Sequence, residues 1–461
     1  MIDPGSVFAI TRSTPFFFLG AAKYFKKFGI FTKYPYINNN LFIKKYSLGI
    51  NSIFSKEDSK NKEMSLHEML AQDDFRNIID KVGKDSPIFI LVSKATSDLL
   101  AICKQNNWNL IGPSPDIIQK LDSKSYFRSL LKKMKLPSIP SLTISGNELL
   151  KISYQKINEQ IGKKFVIQDH LGKTGEKTKT MFISTQGEFL DSQQLIQKNK
   201  LNDSSFIISK YISGIPLSML GCSTSKGTLT GFLQFQIIDS IDVANTNNAK
   251  GVFCGHDWGK AQEFKIVEAA MASTVKTIGD YIYTLGYRGL FGIDFIFDSQ
   301  NCIALALECN PRYTGSFPLF SLIEEMNNSI PLEFFHLVEN TSQTYSSKLI
   351  NAHHSTNVFS FSHLVLKNKF EEDIVSDKDI PSGVYRIDNS NNLQFIKSNC
   401  GLNELSPNTF LLINATHNYR SPIAPNKNIA KIIFPISIVN KDNELIPQVK
   451  NICNSFYSNF R

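Results

Sequence analysis

Residues Gly292–Leu319 read GIDFIFDSQNCIALALECNPRYTGSFPL. At the start of this stretch Phe291, Ile293, Phe295 and Phe297 alternate with Gly292, Asp294 and Ile296. That is the period-2 pattern of a strand, with Asp294 on the face opposite the Phe side chains. Asp298–Asn301 form a turn, after which Ile303, Leu305 and Leu307 alternate with Ala304, Ala306, Glu308 and Asn310. Folding the two strands into a hairpin brings Asp294 beside Glu308, directly or diagonally. Gly292 and Ala306 are the small neighbours expected to leave room there.

Two carboxylates and an amide oxygen on one open patch suit a hard cation. Magnesium takes few carboxylates and fills its remaining positions with water and phosphate oxygens. Arg312, two residues beyond Asn310, is placed to meet a further anion bidentately. The plain alternative is a surface hairpin with ordinary polar residues. The run Glu308-Cys309-Asn310-Pro311-Arg312, which begins fourteen residues past Asp294, weighs against it.

That run resembles the metal-binding hairpin of the ATP-grasp superfamily, and other segments fall in the family's order. Asp122-Ser123-Lys124, opening a helix that ends at Leu136-Pro137, is similar to its D-K…(G/L)-x-P start. Gly172-Lys173-Thr174-Gly175-Glu176-Lys177-Thr178, between strands at 165–168 and 180–183, sits where the phosphate lid belongs. Phe206–Ser218 resembles the interlobe hinge. Its G-x-P-x-S ending, with Gln236, Cys254–Trp258 and Asn-Pro-Arg-x-x-Gly-Ser, is similar to a carboligase branch of the superfamily.

The resemblance covers about residues 85–345 and implies a set of roles. Asp294, Glu308 and Asn310 would hold Mg2+, with Mn2+ as an alternative, and Arg312 would steady the acyl-phosphate or the substrate carboxylate. Lys124, Gly172, Lys173, Thr174 and Gly175 would meet ATP phosphates. The hinge residues Ser209, Lys210, Tyr211 and Ile212 would read adenine. Arg288, with His256 and Trp258, falls where substrate would sit. Two positions depart from the pattern: Gln168 stands where a second ATP lysine is usual, and Ser209 replaces an acidic residue.

Composition agrees with such a fold. A chain of 461 residues with 42% hydrophobic content accommodates two or three domains with ordinary cores. No run approaches the roughly 18 apolar residues of a membrane helix. The densest early one, Pro15–Ala22, is short, is flanked by Arg12 and Lys23, and lacks the order of a signal peptide. A soluble, cytoplasmic protein without membrane or nucleic-acid partners is expected. Seven cysteines without a C-x-x-C pair suggest reduced thiols. Eight histidines without H-E-x-x-H give no transition-metal site. The net charge of +9 is concentrated early: residues 1–62 hold nine Lys and one Arg against two Asp and one Glu. A solvated helix face carrying Lys23, Lys26 and Lys27 is the expected reading, with a basic arm for an anionic partner as the alternative.

The expected architecture is α/β, α+β in part. An N-terminal pre-grasp α/β domain spans 1–120 and an ATP-grasp domain spans 121–345, in two lobes of about 121–210 and 211–345. A β-rich C-terminal domain spans 346–461. Val7–Ile10 and Ile88–Val92 read as strands, Pro15–Phe28 as a helix ending at Gly29, and Ser97–Gln105 as a helix. No G-x-G-x-x-G loop marks a dinucleotide site. The implied activity is ATP-dependent joining of a small-molecule or peptide carboxylate to an amine through an acyl-phosphate, in a monomer or homodimer. Bicarbonate (carboxyphosphate) chemistry and a degenerate ATP-binding scaffold are the rivals.

Overall fold

The computed structural model describes residues 2–11, 15–32, 53–54, 65–169, 180–247, 250–353, 360–398, 401–414 and 422–461. The chain opens with a sheet of five parallel strands: β1 (Ile2–Thr11), β2 (Phe25–Thr32), β3 (Ile53–Phe54), β4 (Ile88–Val92) and β5 (Asn109–Ile111). They lie in the order β3-β2-β1-β4-β5. Val7, Phe8, Ala9 and Ile10 of the central strand are all buried, apolar on both faces as such a strand requires. The helix Ser97–Gln105 forms as expected, and Thr96 caps it by accepting from the Leu99 amide at 3.3 Å.

The expected helix over Pro15–Phe28 does not form. A 3-10 turn at Pro15–Phe18 leads into the short helix Leu19–Ala22, and Phe25 onward is β2, paired in parallel with β1. Lys26 and Lys27 lie exposed side by side while Phe28–Phe31 are all buried, so the strand shows no alternation and its i, i+3 aromatics read equally well as a helix face. Phe25 and Phe28 stack 5.8 Å apart, and Gly29 lies inside the strand instead of capping a helix. Lys23, Lys26 and Lys27 therefore share no helical turn. Lys23 pairs with Glu325, and Lys26 with Asp3 at 2.8 Å.

A helix at Lys124–Lys133 (α1), capped by Ser123, crosses to a small lobe. There β6 (Ser141–Ser145), β7 (Phe165–Asp169), β8 (Met181–Ile183) and β9 (Ser205–Lys210) form an antiparallel sheet in the order β6-β9-β7-β8. Phe165, Ile167, Phe206 and Ile208 face its own core with Phe189 and Ile157. Val166 and Gln168 alternate to the other face, with Ser209 opposite Val166. The lid positions Gly172, Lys173, Thr174 and Gly175 lie outside the described residues.

The remaining strands share one large antiparallel sheet. They are β10 (Ile215–Thr224), β11 (Gly227–Thr230), β12 (Gln234–Ile238), β13 (Phe253–Asp257), β14 (Gly289–Asp298), β15 (Ile303–Asn310), β16 (Ser362–Lys367), β17 (Gly383–Ile387), β18 (Leu393–Lys397), β19 (Phe410–Asn414) and β20 (Asn428–Phe434). The order is β15-β14-β10-β12-β13-β16-β20-β19-β17-β18, with β11 on β10. The helix Glu268–Thr284 (α2) packs on β10 and β11. A helix at Phe317–Met326 (α3) follows the hairpin, and one at Leu332–Asn340 (α4) lies against β10 and β14.

The described strands of the β-rich region beyond 346 thus all belong to this large sheet. The region enters it where β16 pairs with β13, with Gly255 opposite Leu364. Gly255 has φ +153°, and a Cβ there would lie 2.0 Å from the His363 carbonyl oxygen. The buried Asp257 carboxylate accepts from Ser437 Oγ at 2.9 Å and from the amides of Ile438 and Val439 at 2.7 and 3.1 Å. Among the described residues no helix is long and apolar enough to cross a membrane.

Candidate active site on the β14–β15 hairpin

The hairpin forms as its alternation predicts, with Asp294 directly opposite Glu308 and Gly292 opposite Asn310. One feature differs. The register shifts between Asp294 and Phe295, so Phe295 faces Ala306 and Leu307 is an extra residue. Strict alternation would put Ala306 on the same face as Glu308. With the bulge, Ala306 is fully buried across from Phe295, and Glu308 and Asn310 share the face of Asp294. Gly292 alone is the small neighbour on that face.

Neighbouring strands complete the polar surface. Gln236 of β12 donates to Asp294 Oδ1 at 2.8 Å, and Asn310 Nδ2 donates to Asp294 Oδ2 at 2.8 Å. Arg312 donates to Asn310 Oδ1 at 2.8 Å. From α1, Lys124 pairs with Glu308 Oε2, and Arg128, one turn further on, donates to the Ala306 carbonyl at 2.6 Å. Two segments distant in sequence thus converge on one hairpin.

The charges respond to this crowding. Burial, followed by the charge of Glu308, pushes the Asp294 carboxyl up to about 7. Burial also works to raise Glu308, but the adjacent Lys124 ammonium and a hydrogen bond from Asp294 hold it below the ordinary carboxylate range. Adjacent carboxyls on a buried face share protons unless a cation relieves them. An all-oxygen set of two carboxylates and one amide fits Mg2+ in number and in hardness. Among the described residues no group of three or more His, Cys, Asp or Glu is placed to hold a metal ion.

The amino-terminal sheet abuts this face. Lys94, just past the carboxyl end of β4, pairs with Asp122 at 2.6 Å, and the Tyr313 amide donates to the Ser93 carbonyl at 3.0 Å. Sites in open α/β sheets collect at that edge. From β20, Lys431 donates to the Gly315 carbonyl at 2.9 Å, and burial pushes its ammonium down to about 8.

Other expected residues fall less centrally. Gln168 donates to Thr180 Oγ1 at 3.2 Å on the outer face of the small-lobe sheet. Ser209 is buried, with no partner for its hydroxyl among the described residues. The amides of Lys210 and Tyr211 donate to the carbonyls of Pro140 and Lys164, each at 2.9 Å, leading into Ile212 and the turn to β10. Arg288 is not brought to the hairpin face. Its guanidinium lies 3.4 Å over the Tyr283 ring and donates to the carbonyls of Tyr283 and Tyr287, closing the end of α2. His256 and Trp258 are buried. His256 Nδ1 is 3.0 Å from His363 Nε2, and burial pushes the His256 imidazole down to about 3.

Sequence reasoning missed Arg128, Lys94 and Lys431. Arg128 carried a usable signal, since i and i+4 share a helix face and Lys124 was already marked. Lys431 is 119 residues beyond Arg312 and gave none.

A hinge between a four-stranded lobe and a large sheet bearing the D…E-x-N hairpin defines the ATP-grasp fold, and this chain has it. Residues 122–316 match the family model of the ATP-grasp domain. Among curated proteins, the chain is 20% identical over 258 residues to the carbamoyl phosphate synthase large chain of Clostridium acetobutylicum. That match covers 56% of this chain, which spans only 22% of the relative's length. Solved structures extend the likeness over nearly the whole chain. The biotin carboxylase domain of Hydrogenobacter thermophilus 2-oxoglutarate carboxylase, solved with MgADP and bicarbonate, has a TM-score of 0.59 at 12% identity, covering 94% of this chain and 86% of that one. N5-carboxyaminoimidazole synthetase from Staphylococcus aureus, solved with ADP, has a TM-score of 0.53 at 12% identity, covering 100% and 98%.

Proposed function

We propose that the protein is an ATP-dependent ligase that activates a carboxylate as an acyl-phosphate and passes it to an amine. The observation that carries this reading is the convergence of Asp294, Glu308, Asn310, Arg312 and Lys124 on one hairpin face. Asp294, Glu308 and Asn310 would hold Mg2+, which when bound neutralises phosphate charge and orients the transferred group. Lys124 would leave Glu308 for a phosphate oxygen, and Lys210–Ile212 would line the adenine. Arg312 is placed to stabilise charge on the acyl-phosphate, while Lys94 and Lys431 add positive charge around the cleft. Aminolysis needs little side-chain acid–base work once the carboxylate oxygen is a good leaving group. The fixed charges of Lys124 and Arg312 beside the hairpin match that demand.

The test is mass spectrometry of MgATP reactions supplied with pooled amino acids and cell extract, for wild type and Glu308→Gln. A product equal in mass to acid plus amine minus water, with ADP, is expected from wild type and not from the variant. Glu308→Gln removes no core packing, so its thermal unfolding should stay within a few degrees of wild type. An active variant, or a wild type without product from any mixture, refutes the reading.

A second reading takes bicarbonate as the carboxylate. It draws support from the carboxylating enzymes among the structural relatives, though at 12% identity these establish only the fold. ADP release stimulated by bicarbonate without an amine selects it. An ATP-binding scaffold without turnover is disfavoured, because both carboxylates, Asn310, Lys124 and Arg312 meet on one face.

A further inference from the structure

The bulge that aims Glu308 is gripped from α1 at two points. Lys124 takes the Glu308 carboxylate, and Arg128 donates to the carbonyl of Ala306, on the other side of the extra residue Leu307. The backbone is pinned further where the Ala306 amide donates to the Pro137 carbonyl at 3.3 Å and Ser138 bridges to Ala306. Arg128 is an expensive way to fill this position. Its Nε is buried with no partner among the described residues, where a Met or Leu would pack without an unpaired donor.

The two cations face different demands. Within the ligase reading, Lys124 must give up Glu308 to reach a phosphate, and Glu308 must turn its charge to the metal. Arg128 holds a backbone carbonyl, which binds neither metal nor phosphate in that scheme, so nothing in the cycle requires it to let go. It lies one helical turn from Lys124, and the carbonyl it holds is two residues from Glu308. It can therefore keep both the bulge and a positive charge in place while Lys124 moves.

We propose that Arg128 is a positioning residue for the metal hairpin: it fixes the Leu307 bulge so that Glu308 and Asn310 stay on the face of Asp294 when Lys124 is exchanged to nucleotide. This rests on the nucleotide and metal part of the ligase reading, not on the identity of its substrates. An outer partner of this kind typically changes metal affinity about 10–100-fold without touching the metal.

The test measures Mn2+ binding to the protein–ADP complex by water-proton relaxation, ADP binding in EDTA by calorimetry, and thermal unfolding. Arg128→Met should weaken Mn2+ about tenfold, leave metal-free ADP within about twofold, and unfold within a few degrees of wild type. Arg128→Lys, which keeps a charged donor for the Ala306 carbonyl, should recover most of the Mn2+ affinity. Unchanged Mn2+ binding in Arg128→Met overturns the proposal. So does a parallel loss of metal-free ADP binding and stability that Arg128→Lys does not rescue, since that describes a merely structural residue. A wild type that takes up no Mn2+ with ADP overturns this proposal together with the nucleotide reading. Mn2+ uptake as predicted, in a protein that forms no amide product, refutes only the ligase reading and leaves Arg128 as assigned.

Discussion

Gln168 stands where a second phosphate-binding lysine is usual, and its surroundings explain how the change is tolerated. It sits on the face of β7 away from the small-lobe core and donates to Thr180 Oγ1 at 3.2 Å. A charged donor to phosphate is worth about 1.5–3 kcal/mol and a neutral one about 0.5–1.5, so the deficit is about 1 kcal/mol. Gln168→Lys should therefore tighten ATP binding severalfold without altering Mg2+ dependence, as calorimetry with a nonhydrolysable analogue would show. Weaker binding would mean that ATP affinity depends on the Gln168–Thr180 contact, which a lysine disrupts. At this scale the sequence was informative where chemistry is spelled out locally, as at Asp294, Glu308 and Asn310. At Arg288 it left substrate contact and packing open, and there the guanidinium donates through Nη1 to the carbonyls of Tyr283 and Tyr287.

Among elements, the β13–β16 junction decides whether the C-terminal strands belong to the catalytic sheet. Gly255 makes that junction possible, because a side chain there would strike the His363 carbonyl at 2.0 Å and its φ of +153° disfavours any L residue. Gly255→Ala should destabilise the protein by about 2–4 kcal/mol, combining a backbone penalty with strand separation. Limited proteolysis should then cut first beyond residue 346, and urea midpoints should fall; wild-type values for both would show that the junction bears little strain. The Leu307 bulge is the second decisive element. Nothing in the alternation of Ile303–Asn310 announces an extra residue; carried unbroken from the turn, the register would set Leu307 opposite Asp294 and turn Glu308 to the other face. What tips the balance is the small Ala306 side chain, which fits opposite Phe295 in the core.

Across the whole molecule, the N-terminal sheet and the large lobe meet over a buried acidic cluster. Glu333 is 2% exposed, and burial pushes its carboxyl from an ordinary 4.5 to about 8, with Glu325 adding to the rise. Burial raises Glu324 in the same direction. A carboxyl raised on folding binds its proton more tightly in the native state. Its contribution is thus fully present below about pH 4.5 and is lost as pH climbs to about 8. Each pH unit of that span is worth about 1.4 kcal/mol. Glu333→Gln keeps a neutral hydrogen-bonding group and should be the more stable protein at pH 8, by about 2 kcal/mol after some loss of native hydrogen bonds. Urea titrations at pH 5 and pH 8 should show the variant's advantage growing with pH, and equal shifts at both would exclude ionisation as the cause.

The sequence by itself determined the hairpin that sets Asp294 beside Glu308 and the helix bearing Lys124. These are written in short-range patterns: period-2 alternation, a capped helix, and E-x-N-P-R at a set distance from an aspartate. Only the tertiary structure decided that Phe25–Thr32 is a strand, because a segment without clean alternation takes its form from the partner it pairs with. It alone joined residues beyond 346 to the catalytic sheet, placed Lys431 at Gly315, paired His256 with His363, and set Arg128 on the Ala306 carbonyl. Each of these is a contact between distant segments, fixed by packing and by the need to satisfy buried polar groups. Local sequence encodes the residue types for such contacts but not their meeting.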